Sequence, residues 1–544
     1  MAEVDVLVVG AGPVGLTAAA ELRRRGVDCR IIDRLPAPQL YAKAVGVQPR
    51  TLELWEAMGM SRAALDEAVP MLGQLLFENG RPGPRVELAL PPEIPYRFAA
   101  LPQYTTERLL TEHLAGYGTT VERGTELLSA EQDEDLVRAT LSTPDGTEQL
   151  RARYVIGCDG AHSRVRRAAG LSFEGDAFPE QYMLGDVEVD WDLPAGYGVR
   201  ASHRDGDGRV DDILVCIPLP GHRRYRMSMT VPPELGGGAD GPDGVTHGLD
   251  AGRVPELRHI QDVLDRLSPT PTTASRLRWS STFRISHRLV DRYRTGRLFV
   301  AGDAAHIHPP TGAQGMNTGV QDAYNLAWKL ALVVRGVGAE DLLESYQAER
   351  HPVGEEVVGR TVRHARDGVD ADPEDLTTVL LREAQLLVGY PDSPLVDPAP
   401  PGGLPGGPVP GDRAPDCTGL TRDLAAFPQR LFDLLRGPHH TLLLYAGPGT
   451  AADALHACAA AATTAAHGLL DVYVLTADAR PDGLLLPQAE DTAGAFRAAY
   501  APRGGEAFVV RPDGYLGGRF HPARPEHLTA HLRRTFAATG AGGG

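Results

Sequence analysis

Three glycines near the start of the chain are spaced for phosphate chemistry. Gly10-Ala11-Gly12-Pro13-Val14-Gly15 follows an apolar run and opens a helical pattern, the context in which GxGxxG cradles a dinucleotide. Gly10 permits the tight turn, Gly12 lets backbone approach a pyrophosphate, and Gly15 lets helix pack on strand. The helix behind them offers N–H groups and partial positive charge to the phosphates. Asp33 ends the next strand pattern, where a carboxylate accepts from ribose hydroxyls. Gly236 to Gly241 fits the same expression, but no strand pattern precedes it and Pro242 follows, so it reads as a loop.

Two further segments carry polar groups after short apolar runs. One is Cys158-Asp159-Gly160-Ala161-His162-Ser163-Arg164. The other is Gly302-Asp303-Ala304-Ala305-His306, followed by Pro309-Pro310-Thr311-Gly312-Ala313-Gln314-Gly315-Met316-Asn317. Here a strand delivers Asp303, a carboxylate suited to a polyol hydroxyl. Gly312 and Gly315 leave room for a flat ring against the backbone. The helix starting near Asn317 aims its positive end at that ring, and a ring that becomes anionic on reduction gains about 0.3–1 kcal/mol from such a dipole.

These groups need elements to hold them. Val4 to Val9 is continuously apolar, as a buried parallel strand is. Leu16 to Arg25 reads as helix with Gly26 as its cap, and Cys29 to Ile32 as the next strand. Helices follow over Pro49 to Met58 and Thr105 to Leu114, then a short strand over Tyr154 to Ile156. Between about 180 and 290, MLGDVEVDW, DDILVCIPLP and RYRMSMTV alternate with period two, the mark of an antiparallel sheet. The α/β signal returns at Arg297 to Asp303, with helices over Asn317 to Val334 and Asp341 to Arg363. The fold class is therefore α/β: a Rossmann-like nucleotide domain in two parts, 1–178 and 279–390, around an inserted sheet domain, 179–278. Residues 391–415 read as a stiff Pro/Gly-rich linker, 416–537 as a small α/β domain and 538–544 as a tail.

The 544 residues suffice for about three domains. Lys and Arg number 54 against 71 Asp and Glu, a net charge of −17 that disfavours nucleic acid as a partner. No apolar run reaches the roughly 18 residues of a membrane span, and no basic n-region marks a signal peptide. Five scattered cysteines without a CxxC point to a reducing cytoplasm rather than to zinc or a disulfide scaffold.

In order and spacing, the three motifs resemble those of the class A flavoprotein aromatic hydroxylases, the p-hydroxybenzoate hydroxylase type, over residues 1 to about 390. The linker and last domain resemble the thioredoxin-like extension of the aromatic-polyketide hydroxylases. The resemblance implies resident FAD, with NADPH or NADH as a transient reductant that has no Rossmann domain of its own. It implies that Gly10, Gly12, Val14 and Gly15 cradle the pyrophosphate while Asp33 and Arg34 hold the adenosine half. Gln103 would lie beside FAD, Leu127 would contact adenine through its backbone, and Asp159 would serve both FAD and NAD(P)H. Asp303 would bind the ribityl–pyrophosphate region, and Gly312, Gly315, Met316 and Asn317 the isoalloxazine. Lys43 stands where the family usually has Arg, which keeps the charge but not the two-pronged phosphate contact. Pro309 would flank the reactive face of the ring.

The implied reaction is hydroxylation of a phenolic or polycyclic, polyketide-type aromatic with dioxygen, through a C4a-hydroperoxyflavin. Baeyer–Villiger-type oxygen insertion, or a non-catalytic flavoprotein that sequesters a polycyclic ligand, remain alternatives. Homodimerisation stays open. Tyr225 and His287, in the sheet pattern, are the substrate candidates, although packing is the commoner use of such residues. His306 and His308 form an HxH without a third ligand, so no metal is expected. The last domain, lacking CxxC, reads as structural or oligomer-forming.

Overall fold

The computed structural model describes residues 2–236, 245, 247–250, 254–367, 374–398, 406–477 and 480–538. Most of the Gly236 to Gly241 stretch, residues 399–405 of the Pro/Gly-rich segment and nearly all of the tail lie outside them.

β1 (Ala2–Val9) is apolar because both its faces are covered; Val6, Leu7 and Val8 are fully buried. The chain turns at Gly10, descends as α1 (Pro13–Arg24) and returns as β2 (Cys29–Asp33), parallel to β1 with Val6 opposite Cys29. Pro13 at the start of α1 forfeits no hydrogen bond, since that N–H has no intrahelical partner. α2 (Pro49–Met58) follows. β3 (Gly73–Glu78) and β4 (Arg81–Glu87) then form a hairpin that leaves this layer, and α3 (Gln103–Ala115) packs on α1. β5 (Gly146–Gly157) adds to the other edge of β1, again parallel, with Val6 opposite Tyr154.

A second sheet comprises β6 (Phe173–Val189), β7 (Tyr197–Arg204), β8 (Val210–Pro218), β9 (Arg224–Thr230) and, after α4 (Leu257–Leu267), β10 (Ala274–Val290). Their spatial order is β10-β6-β9-β8-β7, all antiparallel, and the β3–β4 hairpin extends it through a parallel join of β3 to β7. One face is closed by α4, whose Ile260, Val263 and Leu264 pack on Met183, Met227 and Met229. The other face turns toward the first sheet.

The chain then completes the first sheet with β11 (Leu298–Val300), parallel to β5, and enters α5 (Gly315–Val334), which packs along α1 and is buried through most of its length. α6 (Glu344–Asp367) lies beside it. The C-terminal unit is a mixed six-stranded sheet centred on β12 (His440–Ala446), which pairs in parallel with β13 (Leu470–Thr476) and antiparallel with β14 (Glu506–Val510). Its apolar face meets Trp328 and Leu332 of α5. The described end of the Pro/Gly-rich segment is not a free spacer. The Gly411 N–H donates to Leu516 O at 2.7 Å, and the Ala414 N–H to Gly514 O at 2.9 Å, so its last residues lie along this sheet.

Candidate functional site

A single cavity of about 1580 Å³ begins at the glycine turn and ends on the free face of the second sheet. At its first end Gly10 sits at φ +98°, and a Cβ there would collide with Cys158 O and come within 2.9 Å of Asp159 Cα. A Cβ on Gly15 would overlap Gly10 O, so Gly15 serves packing behind the wall, whereas one on Gly12 would meet nothing within 4 Å and point into open space. α1 carries no acidic residue in its first turn and no side chain caps it. These groups fit an extended diphosphate: a backbone cradle, room beside it and a helix amino terminus behind. FAD is thus compatible with the residues present.

Asp33, Arg34 and Leu127 line the wall beyond. Asp33 already has work: Oδ2 accepts from the Ala11 N–H and Oδ1 from the Leu35 N–H, each at 2.8 Å. A carboxylate has about four lone-pair sites, so capacity remains for a ligand hydroxyl. Gln103 also lines the cavity. Its Oε1 accepts from the Ala44 N–H at 3.1 Å while its Nε2 donates to Glu107 Oε1 at 2.8 Å. Burial pushes the Glu107 carboxyl up to about 7, a group the sequence pattern does not single out. Asp159 lies on the wall too. It accepts from the Ser163 hydroxyl at 2.5 Å and the Arg164 N–H at 2.6 Å, so it is both a wall residue and a turn-former.

Lys43 and Asp303 face one another across the middle of the cavity, Nζ to Oδ2 at 2.9 Å. Burial alone would raise the Asp303 carboxyl; the Lys43 ammonium outweighs it, with help from His247 and His306, and holds the group below the usual carboxylate range. Burial pulls His247 down to about 3, with Lys43 adding to it, and His308 down to about 4, with His306 adding to it. Pro309 O can only accept, so the His308 Nδ1 atom, 2.9 Å away, is the donor. The neutral ring therefore keeps a lone pair on Nε2. His306 Nε2 pairs with Asp322 at 2.7 Å, and Asp322 is in turn held by Arg350 at 2.7 Å.

At the far end, Gly315 and Met316 on the first turn of α5 reach the cavity. Five expected residues do not line the cavity. Pro309 is buried inside its loop, and the adjacent Pro310 forms the wall. Gly312 makes no room for a ring: its φ is +71°, a Cβ would overlap Glu383 Oε2, and its carbonyl accepts from Gln48 Nε2 at 2.7 Å. The Asn317 side chain is fully buried in loop-holding bonds. Nδ2 donates to Gly46 O at 2.9 Å and Ala313 O at 2.8 Å, and Oδ1 accepts from the Gln48 N–H at 3.0 Å and the Thr51 hydroxyl at 2.8 Å. Tyr225 and His287 are both off the wall. Tyr225 points to the α4 side of the sheet, edge-on to Trp191 at 5.3 Å, and His287 packs edge-on to Phe178 at 5.4 Å.

The sheet wall is built instead from Leu184, Ile217, Arg226 and Phe283. Ile217 and Arg226 are cross-strand partners. Arg226 is 7% exposed, and its Nη2 donates to Lys43 O at 3.2 Å. No carboxylate lies within ion-pair distance of it among the described residues, and burial pulls the guanidinium down to about 10. The signal for it was in the alternation: a strand with Tyr225 facing the core must turn Arg224 and Arg226 to the opposite side.

Residues 3–361 match the family described as FAD binding domain. The 6-methylpretetramide 4-monooxygenase of Streptomyces rimosus is 35% identical over 557 aligned positions, covering 97% of this chain and 93% of its own length. The pentachlorophenol 4-monooxygenase of Sphingobium chlorophenolicum is 34% identical, covering 84% and 82%. A solved ternary complex of aklavinone-11 hydroxylase with FAD and aklavinone superposes with a TM-score of 0.78 at 26% identity, covering 98% of this chain and 99% of that one.

Proposed function

The chain belongs to the FAD-binding-domain family of flavin-dependent aromatic monooxygenases, and from that premise we propose that it hydroxylates a polycyclic, polyketide-type phenol using NADPH or NADH and dioxygen. The observation that carries the substrate reading is the continuity of the cavity, from Gly12 at one end to Phe283 at the other. A drug-sized ligand takes roughly 300–1,000 Å³. The cavity's 1580 Å³ therefore leaves room for an extended cofactor and a second flat molecule.

The diphosphate of FAD would lie at Gly10, Gly12 and Val14, its adenosine half at Asp33, Arg34 and Leu127, its middle at Lys43, Gln103, Asp159 and Asp303, and its ring at Gly315 and Met316. When bound, FAD supplies hydride acceptance from the nicotinamide and activation of dioxygen for transfer to an electron-rich ring. The chain supplies the setting. The amino terminus of α5 directs positive charge at the ring site, favouring an anionic ring. Leu184, Ile217 and Phe283 keep the substrate side apolar. Arg226 puts a buried cation on that wall, and a guanidinium beside a phenol favours the ionised form, which enriches the ring to be oxidised. His308 stays uncharged and presents an acceptor at the edge of the same space.

The same reading assigns 1–178 and 279–390 to the cofactor, 179–278 with the 73–87 hairpin to the substrate, and 416–537 to a thioredoxin-like unit without a redox role. It places the protein in the cytoplasm, where reductant is supplied and five unpaired cysteines are stable. The test is reconstitution with FAD followed by NAD(P)H oxidation against hydroxylated naphthacenes. The expected result is substrate-accelerated oxidation and a product heavier by one oxygen atom with its ring system intact. A ring-expanded lactone would replace hydroxylation with oxygen insertion. A yellow protein whose NAD(P)H oxidation no aromatic accelerates would replace catalysis with ligand capture.

A further inference from the structure

Every residue of α2 except Ala57 is buried, including Arg50, Glu53 and Glu56. Buried ions add little net stability, so their placement calls for another reason. The amino-terminal end of α2 grips the far end of the cavity. The Gln48 N–H and Thr51 hydroxyl hold Asn317, and Gln48 Nε2 holds Gly312 O, fixing the loop that opens α5. The same helix is gripped from the other side by the C-terminal unit and its lead-in. Arg413 forks onto Glu53, with Nε 2.9 Å from Oε2 and Nη2 2.7 Å from Oε1. Arg430 reaches Glu56 at 3.1 and 3.2 Å. Arg50 Nη2 donates to Asp513 O at 2.5 Å, with its guanidinium over the Tyr515 ring at 4.8 Å. Both ends of the chain of contacts are pinned to a single rigid element, the arrangement through which energetic coupling passes between distant sites.

We propose that Arg413, supported by Arg430, is a positioning residue for the ring end of the cofactor, acting through α2 on the Gly312–Asn317 loop. The C-terminal unit is then a brace for the oxidation site rather than a redox module. The inference rests on the FAD reading above. Burial would raise the Glu53 carboxyl, but Arg413 and Arg50 more than offset it and hold it low, so the grip is ionic throughout the working range.

The test compares the FAD-loaded full chain with Arg413→Gln, Arg413→Lys and Leu532→Ala. Leu532 belongs to the apolar cluster that joins the C-terminal unit to Trp328 and Leu332 of α5, a cluster with no member from α2. The readouts are FAD dissociation constant, visible spectrum, midpoint potential of bound FAD and thermal midpoint. Arg413→Gln should weaken FAD retention roughly three- to thirtyfold and shift both spectrum and potential. Arg413→Lys should restore part of each. Leu532→Ala should lower the thermal midpoint and leave the flavin readouts in place. If Arg413→Gln does not fold, Arg430→Gln carries the same expectation with smaller shifts. Flavin readouts unmoved by a folded arginine variant, or moved equally by Leu532→Ala, would overturn the brace. A wild-type chain that cannot take up FAD would remove the cofactor reading and this inference with it.

Discussion

The two ends of the cavity are built on opposite plans. At the glycine turn the chemistry belongs to the backbone: a few consecutive residues, a positive φ at Gly10 and a helix start. At the sheet wall it belongs to side chains from four strands, Leu184, Ile217, Arg226 and Phe283, that meet only in the folded chain. A backbone site tolerates almost no substitution and leaves a short motif. A side-chain site can be rebuilt residue by residue, which is how one scaffold comes to serve different ring systems.

The sharpest way to break this contrast is Gly10→Ala. A Cβ there meets Cys158 O with no side chain to yield, so FAD uptake should vanish, as read by the absorbance of gel-filtered protein. Retained yellow colour would show that the turn is not the anchor. Asp303→Ala should come next, weakening FAD by about a hundredfold through loss of an anchor and release of Lys43 as an unpaired cation; titration of the apoprotein measures it. At the other end, Arg226→Met should leave FAD binding intact and raise KM for a phenolic naphthacene about tenfold. Removing a buried cation without a carboxylate should also raise the thermal midpoint of the substrate-free chain. A fall in that midpoint would mean Arg226 has a stabilising role that its contacts do not show.

Glu107→Gln should have the smallest effect on activity and act through stability. The folded-state pKa of about 7 lies above the unfolded value, so the native state holds its proton longer than the unfolded chain. The wild-type protein should therefore lose stability as pH rises from about 4.3 toward 7, by at most about 4 kcal/mol. Gln removes that loss, so denaturation midpoints of variant and wild type should diverge with rising pH and become parallel above it.

The parallel strands and the helices along α1 and α5 were legible because covered strands are continuously apolar and their turns need glycine. Asp303 and Met316 line the cavity from within a motif, whereas Lys43 and Gln103 lie far in sequence from all three motifs and were indicated only by the family resemblance. Tyr225 and His287 miss the wall, because a strand's residue list does not say which of its two faces meets the cavity. Asn317 and Gly312 misled in another way. They belong to the motif, but hold the loop rather than the ligand space. The hairpin at 73–87 was missed because its second strand, RPGPRVE, carries two prolines and an exposed edge in place of an alternating apolar pattern.

That hairpin has a practical bearing. The substrate layer is not one continuous insertion, since β3 completes it by pairing with β7 across more than a hundred positions of chain. A chimera that borrows only residues 179–278 from a donor enzyme would therefore seat foreign strands against a native border. A transplant meant to carry a new specificity intact has to move both pieces together.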